Sequence, residues 1–111
     1  MTAQAPLILD RRLAIQLLHC AQVASPAPIA GAVLGRAGAP DRFVQRPAAV
    51  GETVWATVLS NPLAPAVPTA EQLPVAGLLL LISLDTKGVL QLRAWQRESD
   101  QAVERVVAIR D

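Results

Sequence analysis

Gly77 to Trp95, GLLLLISLDTKGVLQLRAW, limits what this chain can fold into more than any other stretch. Leu78 to Leu81 run on into Ile82 and Leu84 as a nearly unbroken apolar segment, the pattern of a strand covered on both faces. Asp85 to Gly88 supplies a tight turn, with Gly88 taking the positive φ that ends a type I hairpin turn. Leu90, Leu92 and Ala94 then alternate with Gln91, Arg93 and Trp95, so the returning strand has one face inward and one partly wet. The rest of the chain must cover both faces of this hairpin.

Ahead of it, Leu7 to Leu9 reads as a short strand, and Asp10 as the N-cap of a helix running to Ala24. Leu13, Ala14, Leu17, Leu18, Ala21 and Ala24 share one face of that helix, with Arg12, Gln16 and His19 opposite. Arg11 and Arg12 oppose the helix dipole, so docking of the apolar face must stabilise the helix. Ser25-Pro26-Ala27-Pro28 ends it. Ile29 to Gly35 is a strand whose Gly31 and Gly35 allow a neighbouring backbone to come close. Gly38-Ala39-Pro40 reads as a turn, Arg42 to Arg46 as a strand near an edge, and Glu52 to Ser60 as a core strand.

Asn61 to Pro74 holds four prolines in fourteen residues and cannot be a strand. Within it Thr69 to Gln72 fits a capping box around one helical turn. After the hairpin, Ala102 to Ile109 has the β-branched content of a last strand, with a helix through Glu104 and Arg105 as the alternative.

The length of 111 residues suits a single domain, residues 1–111, and 52% hydrophobic against 17% charged residues describes a chain that folds. Nine Arg and one Lys are scattered without the basic stripe that phosphate backbones require, which argues against nucleic acid as a partner. The longest uncharged apolar run, Leu73 to Ile82, is half the ~20 residues of a membrane span, so no membrane association is expected. The first ten residues lack the pattern of a signal peptide, and the single Cys20 offers neither a disulfide nor a zinc site. These features imply a cytoplasmic protein.

The order of elements, together with Ser60-x-Pro62, Pro68-Thr69-x-x-Gln72 and ISLDTKGVLQLRAW, resembles the JAB/MPN (JAMM) family of zinc-dependent isopeptidases in its small bacterial form. The resemblance covers essentially the whole chain. It implies an α+β domain: a curved mixed sheet of about six or seven strands with one long helix packed against it, layered as in the cytidine deaminases. The family's second helix has no counterpart between Pro47 and Val54. Active members hold zinc with two His and an Asp, use a Glu to handle the proton of the attacking water, and steady the oxyanion with a Ser. Aligned through the flanking prolines and glycines, the Glu position falls on Pro28, the His positions on Leu59 and Asn61, the Asp position on Gln72 and the Ser position on Thr69. Zinc needs three nitrogen, sulfur or carboxylate ligands, and Leu, Asn and Gln do not supply them. Pro28 cannot accept a proton.

Other chemistry is thinly represented. His19 and Cys20 are adjacent on a helix and point apart, so they make no nucleophile and base. Asn61, Thr69 and Gln72 offer either a neutral hydrogen-bonding pocket or caps for their own loop, the second being favoured. Trp55 and Trp95 serve equally well as binding anchors or as core and rim aromatics. Among the carboxylates, Asp85 and Glu71 are assigned to turn and cap geometry, and with Glu52 they make no acid/base pair. The expectation is a catalytically inactive JAMM-like module without a cofactor that binds a protein partner or itself, as a homodimer with Trp55 or Trp95 at or near the contact. The alternative is a JAMM-family hydrolase with a reorganised metal site, or other chemistry in the same cleft.

Overall fold

A computed structural model describes residues 5–74, 77–84 and 90–111. Its elements run β1 (Leu7–Asp10), α1 (Arg11–Ala24), β2 (Ala30–Arg36), β3 (Ala39–Val44), β4 (Val54–Asn61), β5 (Leu78–Ser83), β6 (Gln91–Glu98), β7 (Gln101–Arg105) and β8 (Val107–Arg110). Six strands form one sheet in the order β3-β2-β4-β5-β6-β7, and β1 pairs with β8 in a separate two-stranded ribbon. The large sheet is mixed, because β4 and β5 are parallel while its other pairs are antiparallel. The chain is thus an α+β domain with one helix among the described residues.

The expected central strand is β5. Leu79 to Ser83 are all buried, because β4 and β6 flank the strand and both faces of the sheet are covered. The antiparallel β5–β6 pair confirms the hairpin, while the turn through Gly88 lies outside the described residues. On one face, Leu13, Leu17 and Ala21 of α1 pack with Val33, Val58, Leu80, Ile82 and Ala94. Burying one Leu of this kind contributes about 1.5–3 kcal/mol, which exceeds what the poor helix start can cost. Asp10 does sit at the N-cap with extended backbone, but its side chain makes no capping bond. The helix is therefore held from its side.

Several expected boundaries shift, each for a physical reason. The turn before β3 is Ala37-Gly38, both at positive φ, so Pro40 falls inside β3 rather than in the turn. A proline is acceptable there because β3 is an edge strand. β3 ends at Val44 instead of Arg46, and Arg46 turns to Glu52. β4 starts at Val54 rather than Glu52, whose carboxylate is held in the preceding loop. The expected last strand is two strands: β7 pairs with β6, the chain breaks off at exposed Val106, and β8 runs parallel to β1. That split takes β1 out of the main sheet.

Gly31 meets its expected role, since a Cβ there would run into the Val44 carbonyl and come within 2.9 Å of the Phe43 ring. β2 lies between β3 and β4, so residues 45–53 must cross it to connect them, and they do so without a helix. The crossing is pinned by Glu52, which accepts from Arg46 at 2.8 and 3.0 Å, from Arg42 at 3.3 Å and from the Ala49 amide at 2.6 Å. The Arg46 bonds, then the Ala49 amide, then the two nearby positive charges, lower the Glu52 pKa from 4.5 to about 2.

Candidate functional site

The positions singled out by the family resemblance gather at the C-terminal end of β4, on the face away from α1. Leu59 and Asn61 are two apart on one strand and so share a face. Leu59 packs on a second apolar cluster made of Leu73, Leu79, Leu81 and Trp95. Pro28 is exposed and precedes Ile29, whose N–H donates to the Ser60 hydroxyl at 2.8 Å and whose carbonyl accepts from the Ser60 amide at 3.1 Å. Pro28 is thereby held beside the end of β4.

Thr69 and Gln72 form the expected capping box. The Thr69 amide donates to Gln72 Oε1 at 3.0 Å, and the Gln72 amide donates to Thr69 Oγ1 at 3.2 Å. Glu71 takes no part in this cap, contrary to expectation, and is exposed. The box aims the far end of Gln72 at β4, where its Nε2 donates to Asn61 Oδ1 at 2.7 Å. Asn61 Nδ2 in turn donates to the Pro65 carbonyl at 3.2 Å. Two of the positions that the resemblance aligns with metal ligands are therefore in direct contact, and their amides are engaged with each other and with the loop.

Three more side chains from the sheet tie this loop down. Ser83 Oγ donates to the Ala64 carbonyl at 2.6 Å, Trp95 Nε1 to Ala66 at 3.0 Å, and Arg97 to the Leu73 and Pro74 carbonyls at 3.0 and 3.1 Å. Among the described residues no buried side-chain nitrogen or oxygen lacks a partner. Trp95 is 8% exposed rather than partly wet, because the Pro-rich loop lies over it. Its ring also carries Arg93 at 4.9 Å, and Arg93 pairs with Glu104 at 2.6 Å, which lowers the Glu104 pKa. Trp95 is thus an internal anchor and not an exposed one. Trp55 is half-buried on the opposite side, against the helix-side core.

Ser60 and Ser83 stand in the motifs that carry the resemblance, but the sequence assigns no role to either of them or to Arg97. The signal available was a serine near the end of each of two adjacent apolar strands, Ser60 next to last on β4 and Ser83 last on β5, where a buried hydroxyl needs a nearby partner. Nothing in the local sequence marks Arg97.

The donor set does not fit a zinc ion. Leu59 has no donor atom, and both amides at Asn61 and Gln72 are taken in hydrogen bonds to protein. Among the described residues no three His, Cys, Asp or Glu come together. His19 and Cys20 lie on α1, away from this cluster.

One helix against a mixed sheet, with a proline-rich loop folded over the end of β4, defines a domain of the JAB1/MPN fold. The structure superposes on protein DSY2949 from Desulfitobacterium hafniense with a TM-score of 0.77 and 18% identity, covering 95% of this chain and 93% of that one. It superposes on AF2198, a JAB1/MPN domain protein from Archaeoglobus fulgidus, with a TM-score of 0.67 and 22% identity, covering 91% and 97%. A third likeness is to a JAMM protein described by its metalloprotease-like zinc site in the proteasome and signalosome, with a TM-score of 0.62, 16% identity and coverage of 95% and 99%. No known family profile and no curated protein sequence matches the chain.

Proposed function

We propose that this chain is a catalytically inactive relative of the JAMM isopeptidases, a domain that keeps the scaffold and works in the cytoplasm as a protein-binding or scaffolding module. The observation that carries the reading is the contact between Gln72 Nε2 and Asn61 Oδ1 at 2.7 Å. Scaffold elements that in the family bring metal ligands together here bring together two neutral amides, beside a leucine. Pro28, at the position of the family's proton-handling Glu, has no group that accepts a proton. Thr69 keeps a hydroxyl, and that hydroxyl accepts from the Gln72 amide as a cap.

Elemental analysis of the purified protein tests this directly. The expected result is no stoichiometric zinc and no loss of stability in chelator; one zinc per chain retained through gel filtration would restore the hydrolase reading with a reorganised metal site. A second arm tests the alignment itself. Leu59→His, Asn61→His and Gln72→Asp together should create a three-ligand site that binds zinc at micromolar concentration or better. A triple variant that melts cooperatively yet shows no zinc binding by calorimetry would remove the site assignment.

A further inference from the structure

At the start of β4 the pairing is irregular in a way that redirects one side chain. Strict alternation would set Trp55 beside Thr57 and Leu59, on the face away from α1. Instead β4 carries an extra residue there: Val33 of β2 faces Ala56, its neighbour Leu34 faces Val54, and Trp55 is left between them without a partner on β2. A bulge of this kind re-aims the residue it inserts. Trp55 accordingly packs against the helix-side core, while Val54 stays with Thr57 and Leu59 on the other face. Gly35 makes the room, since a Cβ there would stand 3.3 Å from the Trp55 Cβ.

The half-buried indole borders a cleft of about 370 Å³ between the β1–β8 ribbon and the turn that joins β2 to β3. Ile8 of β1 and Pro40 of β3 add apolar lining. Two opposite charges line the same cleft. Asp10 ends β1, Arg110 ends β8, and the two are register partners in the parallel pair. Their side chains therefore leave the ribbon on one face, from backbones about 4.8 Å apart. Each has a use within the chain that it does not take. Asp10 has the extended backbone of an N-cap, yet its carboxylate makes no bond to the helix amides. Among the described residues neither Asp10 nor Arg110 forms an ion pair, with the other or with any third group.

We infer that this cleft binds a free α-amino acid with an apolar side chain. Asp10 accepts from its ammonium group, Arg110 donates to its carboxylate, and Trp55, Ile8 and Pro40 take the side chain. The two charged groups of an α-amino acid sit on a single carbon, which suits two anchors on adjacent strands. A peptide terminus presents only one of these charges and leaves the other anchor unmatched. The cleft volume falls in the range of small-molecule sites. It lies at the opposite end of β4 from Asn61 and on the other face, so the inference goes beyond the scaffold reading and does not depend on metal content.

The experiment is calorimetry of the full chain with L-phenylalanine, joined to NMR of the two indole N–H groups. The expected result is submillimolar binding that shifts the Trp55 indole and leaves Trp95 in place. Asp10→Asn and Arg110→Gln should each weaken binding by about tenfold with an unchanged melt, because both side chains are exposed and outside any ion pair among the described residues. N-acetyl-phenylalanine should bind the wild type about tenfold more weakly than phenylalanine does, and should lose nothing further in Asp10→Asn. Phenylalanine amide should behave in the same way toward Arg110→Gln. No binding up to millimolar concentration, or binding that both single variants leave unchanged, would overturn the inference. So would a ligand that shifts Trp95 and not Trp55.

Discussion

The two faces of the six-stranded sheet are covered by different means. On one, the helix α1 lays Leu13, Leu17 and Ala21 on Val33, Val58, Leu80 and Ile82, and no side-chain hydrogen bond ties the helix to the large sheet among the described residues. On the other, the Pro-rich loop rests on Leu79, Leu81 and Trp95, while Asn61, Ser83, Trp95 and Arg97 reach up to its carbonyls. A helix satisfies its own backbone, so the sheet beneath it need only be apolar. A loop with four prolines in fourteen residues cannot. Its carbonyls would be buried without partners, and donors must come from the strands below. The positions that the resemblance aligns with the family's site lie on this second face, and the polar groups at Asn61 and Gln72 secure the loop.

The sharpest break of this comparison is a truncation under the helix. Leu80→Ala and Leu17→Ala, both at fully buried sites, should each cost about 2–5 kcal/mol in a denaturant titration without lowering the protection of residues 62–74 relative to the rest. Next is the loop side. Trp95→Phe keeps an aromatic ring but leaves the Ala66 carbonyl without its donor, and should cost about 1–3 kcal/mol. Hydrogen exchange in residues 62–74 should rise by more than the global loss accounts for; a uniform rise would show that the tryptophan acts by packing alone.

Gln72→Ala removes both the return arm of the capping box and the bond to Asn61, for about 1 kcal/mol, and should loosen the same loop. The smallest effect concerns acid. Glu52 has its folded pKa depressed to about 2 from 4.5, so its contribution is complete above the higher value and disappears as pH falls through the lower one. Glu52→Gln should flatten the fall in melting temperature between those two limits. If the acid limb of the variant matches wild type, the crossing of residues 45–53 is held by packing instead.

Legibility in the sequence follows the same division. β5 was readable because its apolar run is too dense for a half-exposed strand, and α1 because its apolar residues repeat with the helical period. The Thr69–Gln72 capping box was readable because both partners lie within four residues. The contact of Gln72 with Asn61 was not readable, since no spacing rule links a strand end to a turn eleven residues on. The burial of Trp95 was misread for a related reason. Leu92 and Ala94 turn to the helix side as expected, but Trp95 on the other face is covered by a loop 29 residues earlier.

By itself the sequence determined the local elements: which segments extend, which coil, and where prolines stop them. Only the tertiary structure decided that β8 leaves the sheet at Val106 to lie beside β1, pairing Leu7 with Val107 across nearly the whole chain. It also decided that Glu52 would gather two arginines and an amide, and that the four sheet donors would meet the loop carbonyls. Periodicity reports the faces of a single element, whereas these contacts depend on where separate elements stop relative to one another. That is set by how the whole chain closes around β5.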